Sequence, residues 1–153
     1  MLPFPMKTFP AEFLNVDFDI KSKIDPAILV EAWGTRVMAD SHRLGRRYWL
    51  RLFLFPQPRS PNDAIQRFAK LVGGLSSQAR MVWEQASKEI DIGIQAEFER
   101  RSGEWVLDPK VVQAVADLGA HVRFTVYSPL LIIDEARQTK TSLKRKRGSR
   151  RRS

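Results

Sequence analysis

From Ile90 to Phe98 the chain reads IDIGIQAEF, with Ile90, Ile92, Ile94, Ala96 and Phe98 separated by polar residues or glycine. A repeat of two residues places those side chains on one side of an extended backbone. Residues 90–99 are therefore expected to form a strand with one dry and one wet face. Such a strand is not stable alone in water; it needs partner strands and a covering layer.

The rest of the chain offers both. Residues 12–20, EFLNVDFDI, repeat the pattern, with Leu14, Val16, Phe18 and Ile20 alternating with Asn15, Asp17 and Asp19. Asp25 and Pro26 then stand where a helix cap and first helical residue belong, and Gly34 stands where a helix ends. Ile28, Leu29 and Ala32 or Trp33 are its expected buried side. The polar stretch 39–47, ADSHRLGRR, reads as a loop. YWLRLFLF (48–55) reads as a strand that Pro56 stops. Ser60, Pro61 and Asp63 open a helix whose stripe is Ile65, Phe68, Ala69 and Val72, and Gly73–Gly74 breaks it. A second helical stretch carries Met81, Val82 and Ala86. Asp108, Pro109 and Gly119 repeat the earlier helix signals around Val111, Val112, Val115 and Leu118, and 121–127, HVRFTVY, is a last strand.

Strand, Asp-Pro helix, glycine stop and strand thus occur twice. That predicts an α+β fold: a two-layer sandwich, mostly antiparallel sheet with helices on one face, in the duplicated split βαβ arrangement of ferredoxin-like domains. The expected organisation is an irregular segment at 1–11, one domain at 12–135 and a disordered basic tail at 136–153. In 48–55 one parity holds Tyr48, Leu50, Leu52 and Leu54, and the other holds Trp49, Arg51, Phe53 and Phe55. Both sides being apolar, Trp49, Phe53 and Phe55 are expected to form a face for a partner, either the segment 130–134 (LLIID) or a second copy of the chain.

Two stretches, VDFDI…DPAILVEAWG and EFERRSGEWVLDPKVVQAVADLGAHVRFTVY, resemble a widespread bacterial family catalogued as domain of unknown function 4279. The likeness spans roughly residues 12–128, and Leu107, Asp108, Pro109, Leu118, Gly119 and Tyr127 are its closing marks. Each of these is a cap, a helix start, a helix stop or a strand residue. The resemblance accordingly implies a fold and a bacterial source, and no activity.

Charge is unevenly spread. Of 26 basic residues nine follow Glu135, the last acidic one, so the first 135 residues hold 17 basic and 17 acidic side chains. The net charge of +9 belongs to the tail. Lys144, Arg145, Lys146, Arg147, Arg150, Arg151 and Arg152 would attract any polyanion through counterion release, without sequence preference. Arg43, Arg46 and Arg47, next to Tyr48 and Trp49, form a second basic candidate, since cations interleaved with aromatics suit single-stranded nucleic acid.

Chemistry is harder to find. The chain has no cysteine, which excludes disulfides, thiolate nucleophiles and Cys-ligated zinc. Of its two histidines, His42 reads as a solvated loop residue and His121 as part of a wet strand face beside Arg123 and Tyr127. No metal site, cofactor or small-molecule ligand is expected. Asp17 and Asp19, with Glu97 and Glu99, would form an acidic stripe if their strands were neighbours, which more often is simply the wet face of a sheet. Gly73–Gly74 follows a helix and lacks the Gly-Lys-Ser/Thr ending of a phosphate loop. No apolar run approaches the roughly 20 residues of a membrane helix, and three prolines in the first ten residues interrupt any leader.

The expectation is a cytoplasmic, non-enzymatic interaction domain of immunity or regulatory type that binds a protein partner or itself. The alternative is a nucleic-acid-associated protein that binds DNA or RNA through the tail.

Overall fold

In the computed structural model, residues 12–96 and 103–127 are described. The tail cations, the segment 130–134, Glu97, Phe98 and Glu99, and residues 1–11 lie outside them.

The alternating stretches are strands: β1 (Glu12–Ser22) and β4 (Ser87–Gln95) lie side by side and antiparallel, with Phe18 opposite Ile90 and Val16 opposite Ile92. On its other side β1 pairs antiparallel with β3 (Arg47–Leu54), Phe18 facing Leu52. From Val16 on, the even residues of all three strands point one way into a single core with the helices; before it a register shift between Phe13 and Asn15 puts Phe13, opposite Ile94, against the core in place of the expected Leu14. Val16, Phe18, Ile20, Leu50, Leu52, Leu54, Ile90, Ile92 and Ile94 are all buried there.

The helices α1 (Ala27–Trp33), α2 (Pro61–Gly73), α3 (Ser77–Gln85) and α4 (Pro109–Leu118) supply the covering layer, and all four contribute buried side chains to that core. The expected start and stop signals act as physical caps. The Asp25 carboxylate accepts from the N–H of Ala27, the first residue of α1, at 3.0 Å, so that Pro26 takes the cap position expected of Asp25 and the helix starts one residue later. The Ser60 hydroxyl accepts from the Asp63 N–H at 3.1 Å. Gly34 and Gly119 end their helices at φ 55° and 63°, values that a side chain disfavours. Asp108 occupies the cap position of α4 but its side chain makes no capping bond; its backbone N–H is held instead by Asn62 Oδ1 at 3.1 Å. At the centre Phe18 stacks at 4.6 Å on Phe68 and 5.4 Å on Trp83, and Trp33 meets Trp83 edge-on at 6.1 Å.

Some expected stripes shift. In α4 Val111 and Leu118 are buried while Val112 is exposed, and in α3 Trp83 is buried where Met81 was expected. Both helices are short, and only a narrow stripe of each, Ala79, Val82 and Trp83 in α3 and Val111 and Leu118 in α4, is buried.

The largest difference lies at 39–47. That polar stretch is not a loop: it belongs to strand β2 (Val37–Leu44), followed by a two-residue turn at Gly45–Arg46 and the start of β3. β2 is the outermost strand, antiparallel to β3, and every residue after Val37 is exposed. With both sides wet, it carries no alternation to read.

The sheet order is β2-β3-β1-β4-β5, where β5 (His121–Tyr127) runs parallel to β4. The sheet is mostly antiparallel and the domain is an α+β two-layer sandwich. Its two split units are β1-α1-β2, with β3 between the strands, and β3-α2-α3-β4, with β1 between them. The second Asp-Pro helix, α4, instead connects the adjacent parallel pair β4 and β5, extending the duplicated core by one strand.

Candidate functional site

Odd-numbered residues of β1 from Asn15 on, and of β3, β4 and β5, project to the face of the sheet that carries no described helix. The pairing registers fix who meets whom. Asp19 lies between Arg51 on β3 and Glu89 on β4; Asp17 lies between Phe53 and Asp91; Arg123 on β5 is opposite Asp91.

A strip of interlocked charge results. Arg51 grips Asp19 with two parallel hydrogen bonds, Nε to Oδ1 at 2.8 Å and Nη2 to Oδ2 at 2.9 Å, the planar fork that guanidinium and carboxylate favour. Arg123 reaches Asp91 at 2.9 Å and Glu89 at 3.0 Å, and comes within 3.6 Å of Asp19. Thr125 donates its hydroxyl to Asp91 at 2.7 Å. Asp19 is only 6% exposed, and the arginines take up its carboxylate oxygens. The hydrogen bond to Asp19 holds Arg51 still more firmly protonated than an ordinary arginine, and the bond to Asp91 does the same for Arg123. Asp17 differs. It accepts from Asn15 Nδ2 at 3.1 Å, and partial burial pushes its carboxyl above the usual range, opposed by Arg51 and reinforced by Asp91 and Asp19. Asn15 can lie this close across the sheet because Gly93 is opposite it. A Cβ on residue 93 would come within 2.5 Å of Asn15 Oδ1.

Beside the strip lies an apolar half. Trp49 and Phe53 are half-buried on the same face of β3, and Met38 of β2, opposite Phe53, is 56% exposed. Arg51 sits between them in sequence and spreads its guanidinium over the Trp49 ring at 5.0 Å. His42 approaches Trp49 at 5.5 Å between ring centres and Asp40 at 3.3 Å. Among the described residues, Trp49 Nε1 is buried without a hydrogen-bond partner. Phe55 does not join this group. It lies one residue beyond the end of β3, where the alternation stops, and lines a separate depression of about 300 Å³ with Arg36, Arg67 and Lys70.

The basic candidates are dispersed differently from the expected loop. Arg43 is on β2, with its guanidinium 5.3 Å over the Tyr48 ring; Arg46 is in the turn; Arg47 opens β3. Pairing of β1 with β3 adds Lys21, opposite Trp49, and places Lys21 and Lys23 beside Arg47 in a depression of about 370 Å³ with Ser22, Gln85 and Ser87. Sequence reasoning missed the two lysines, since nothing local ties residues 21–23 to residue 47.

His121 is exposed at the start of β5, across from Glu89, and Arg123 and Tyr127 share its parity as expected. The acidic stripe exists on β1, but its counterpart on β4 is Glu89 and Asp91. Among the described residues no three His, Asp or Glu side chains are placed to hold a metal ion, and no described helix is long and apolar enough to cross a membrane.

No protein-family model, curated protein or solved structure matches this chain. The family named above therefore stands as a resemblance carried by the quoted residues.

Proposed function

We propose that this domain works by binding a protein through the face of its sheet that carries no described helix, in the manner of an immunity or regulatory module, and not by catalysis. The observation that carries this reading is the juxtaposition on one face of an aromatic patch, Trp49 and Phe53 with Met38, and a charged strip already fixed in place. Aromatic side chains at the centre of a face, bordered by ordered charge, are the composition of a protein interface. Asp19, Glu89 and Asp91 are each bound by a guanidinium. They are thereby committed to structure, which argues against a role as acid or base. The same carboxylates work against a nucleic-acid platform on this face, because a stacking surface needs cations, not anions, beside its aromatics.

A photo-reactive residue at position 38, in cells of the source organism, is expected to capture one protein that an equivalent probe at exposed Met81 on α3 does not. With that protein purified, Trp49→Ala and Phe53→Ser should each weaken binding about tenfold or more, and Met81→Ala should leave it unchanged. Equal capture from both positions, or binding indifferent to Trp49 and Phe53, overturns the reading.

A second reading has its own observation: Lys21, Lys23 and Arg47 share one depression at the end of the sheet, with Arg46 in the adjoining turn, in a chain whose tail adds nine further cations. Such a surface takes DNA or RNA non-specifically. Its signature is an affinity that falls steeply with salt; changing Lys21, Arg46 and Arg47 to Gln in the full chain separates this cluster from the tail.

A further inference from the structure

The two outer strands of the sheet are guarded very differently. β2 is exposed from Met38 to Leu44 and carries Asp40 and Arg43 among those residues, and charge on an edge strand discourages pairing with another chain. β5 reads HVRFTVY, and its one charged side chain, Arg123, is taken up by Asp91 and Glu89.

The backbone of β5 is directed by its pairing with β4. The Tyr127 carbonyl accepts from the Ala96 N–H at 3.0 Å. Within a strand the N–H and C=O of one residue point to the same side, and the side alternates along the chain. The backbone groups of His121, Arg123, Thr125 and Tyr127 therefore turn toward β4, and those of Val122, Phe124 and Val126 turn outward. The side chains of these same three residues lie on the helix side, in register with Ile90, Ile92 and Ile94. Phe124 is 52% and Val126 61% exposed. Outward hydrogen-bonding groups and uncovered apolar side chains thus belong to one set of residues.

We propose that β5 pairs antiparallel with β5 of a second copy about a two-fold axis through Phe124. Valine stands two residues to either side of Phe124, and that symmetry makes the strand complementary to itself. Phe124 faces the partner's Phe124, and Val122 faces the partner's Val126. Arg123 faces the partner's Thr125, so no like charges oppose each other. Each outward residue donates one hydrogen bond and accepts one. The contact is isologous and closes on itself as a dimer, joining two sheets into one. It uses a surface distinct from Trp49 and Phe53, so it goes beyond the reading above and either can fail alone.

The full chain, having no native cysteine, gives a clean test. Sedimentation of the wild type should show a dimer at about 100 µM that dissociates on dilution. Phe124→Lys should weaken it at least about tenfold while the circular dichroism spectrum and thermal melt stay close to wild type. Phe124→Cys should form a disulfide-linked dimer on mild oxidation, because the two Cα atoms would be about 5.5 Å apart; Val112→Cys, exposed on α4, should not. A wild-type monomer overturns the proposal. So does a dimer that Phe124→Lys leaves intact and Phe124→Cys does not cross-link, which would put the interface elsewhere, and so does a covered edge whose Phe124→Cys stays monomeric. Should Phe124→Lys unfold, the pattern of cross-linking decides.

Discussion

β1 presents two surfaces from one strand, and they are built on opposite principles. Val16, Phe18 and Ile20 belong to the apolar core shared with α2, α3, β3 and β4, with Lys88 opposite Ile20 at its border, and are held by the exclusion of water. Asp17 and Asp19, one residue away, meet charge and hydrogen bonds. On the dry side position matters through volume, and neighbouring losses add up as cavities. On the wet side position matters through pairing, so that one deletion orphans its partner. The same period of two that sorts the residues therefore sorts the kinds of damage that mutation does.

Three substitutions along β1 probe this contrast. Phe18→Ala, on the dry side, opens a cavity between Phe68 and Trp83 and should cost about 4 kcal/mol, a large share of the stability of an ordinary domain; urea denaturation measures it. Asp19→Asn removes the charge that Arg51 grips. A fully buried pair would cost about 3–5 kcal/mol to break. The Arg51 side chain is 32% exposed and can rehydrate, so about 2 kcal/mol is expected, read as a lower urea midpoint at unchanged slope. A loss for Asp19→Asn as large as that for Phe18→Ala would erase the distinction between the two surfaces.

Asp17→Asn should have the smallest effect and the opposite sign. Burial raises the Asp17 carboxyl in the folded protein, so the fold binds that proton more tightly than the unfolded chain does. Stability from this group is then greatest in acid and falls as pH rises from the ordinary carboxylate value through the raised one, leaving a penalty at neutrality. Replacement by Asn should remove the penalty, a gain of a few tenths of a kcal/mol because Asp17 is half exposed to screening water. Melting curves of both proteins across the acid range should converge as pH falls. A variant less stable than wild type at neutral pH would show that the carboxylate is welcome there.

What could be read from sequence follows the same division. β1, β3 and β4 announced themselves through alternation or apolar runs, and α1, α2 and α4 through Asp-Pro, Ser-Pro and glycine signals; α3 carried no such start signal, and its buried Trp83 was not legible beside exposed Met81. β2 did not announce itself, since an edge strand wet on both sides has no pattern to display. The aromatic pair Trp49 and Phe53 was legible as the second parity of an apolar strand, but Phe55 was not separable from them without knowing where β3 ends. Asp17 and Asp19 were visible as one wet stripe. Their partners Arg51, Arg123, Glu89 and Asp91 were set by register between strands distant in the chain, as was the meeting of Lys21 with Arg47, and register is invisible to local pattern.

The central place of β1 has a further consequence, in time. Phe18 pairs with Leu52 on one side and Ile90 on the other, so the strand at the middle of the sheet precedes both of its neighbours in the chain. On a ribosome it emerges first and waits for both. Until residues of β4 have been added, its apolar side has no complete shelter, and contacts so far apart in sequence form slowly. The strand that holds the finished sheet together is thus the one a nascent chain leaves exposed longest.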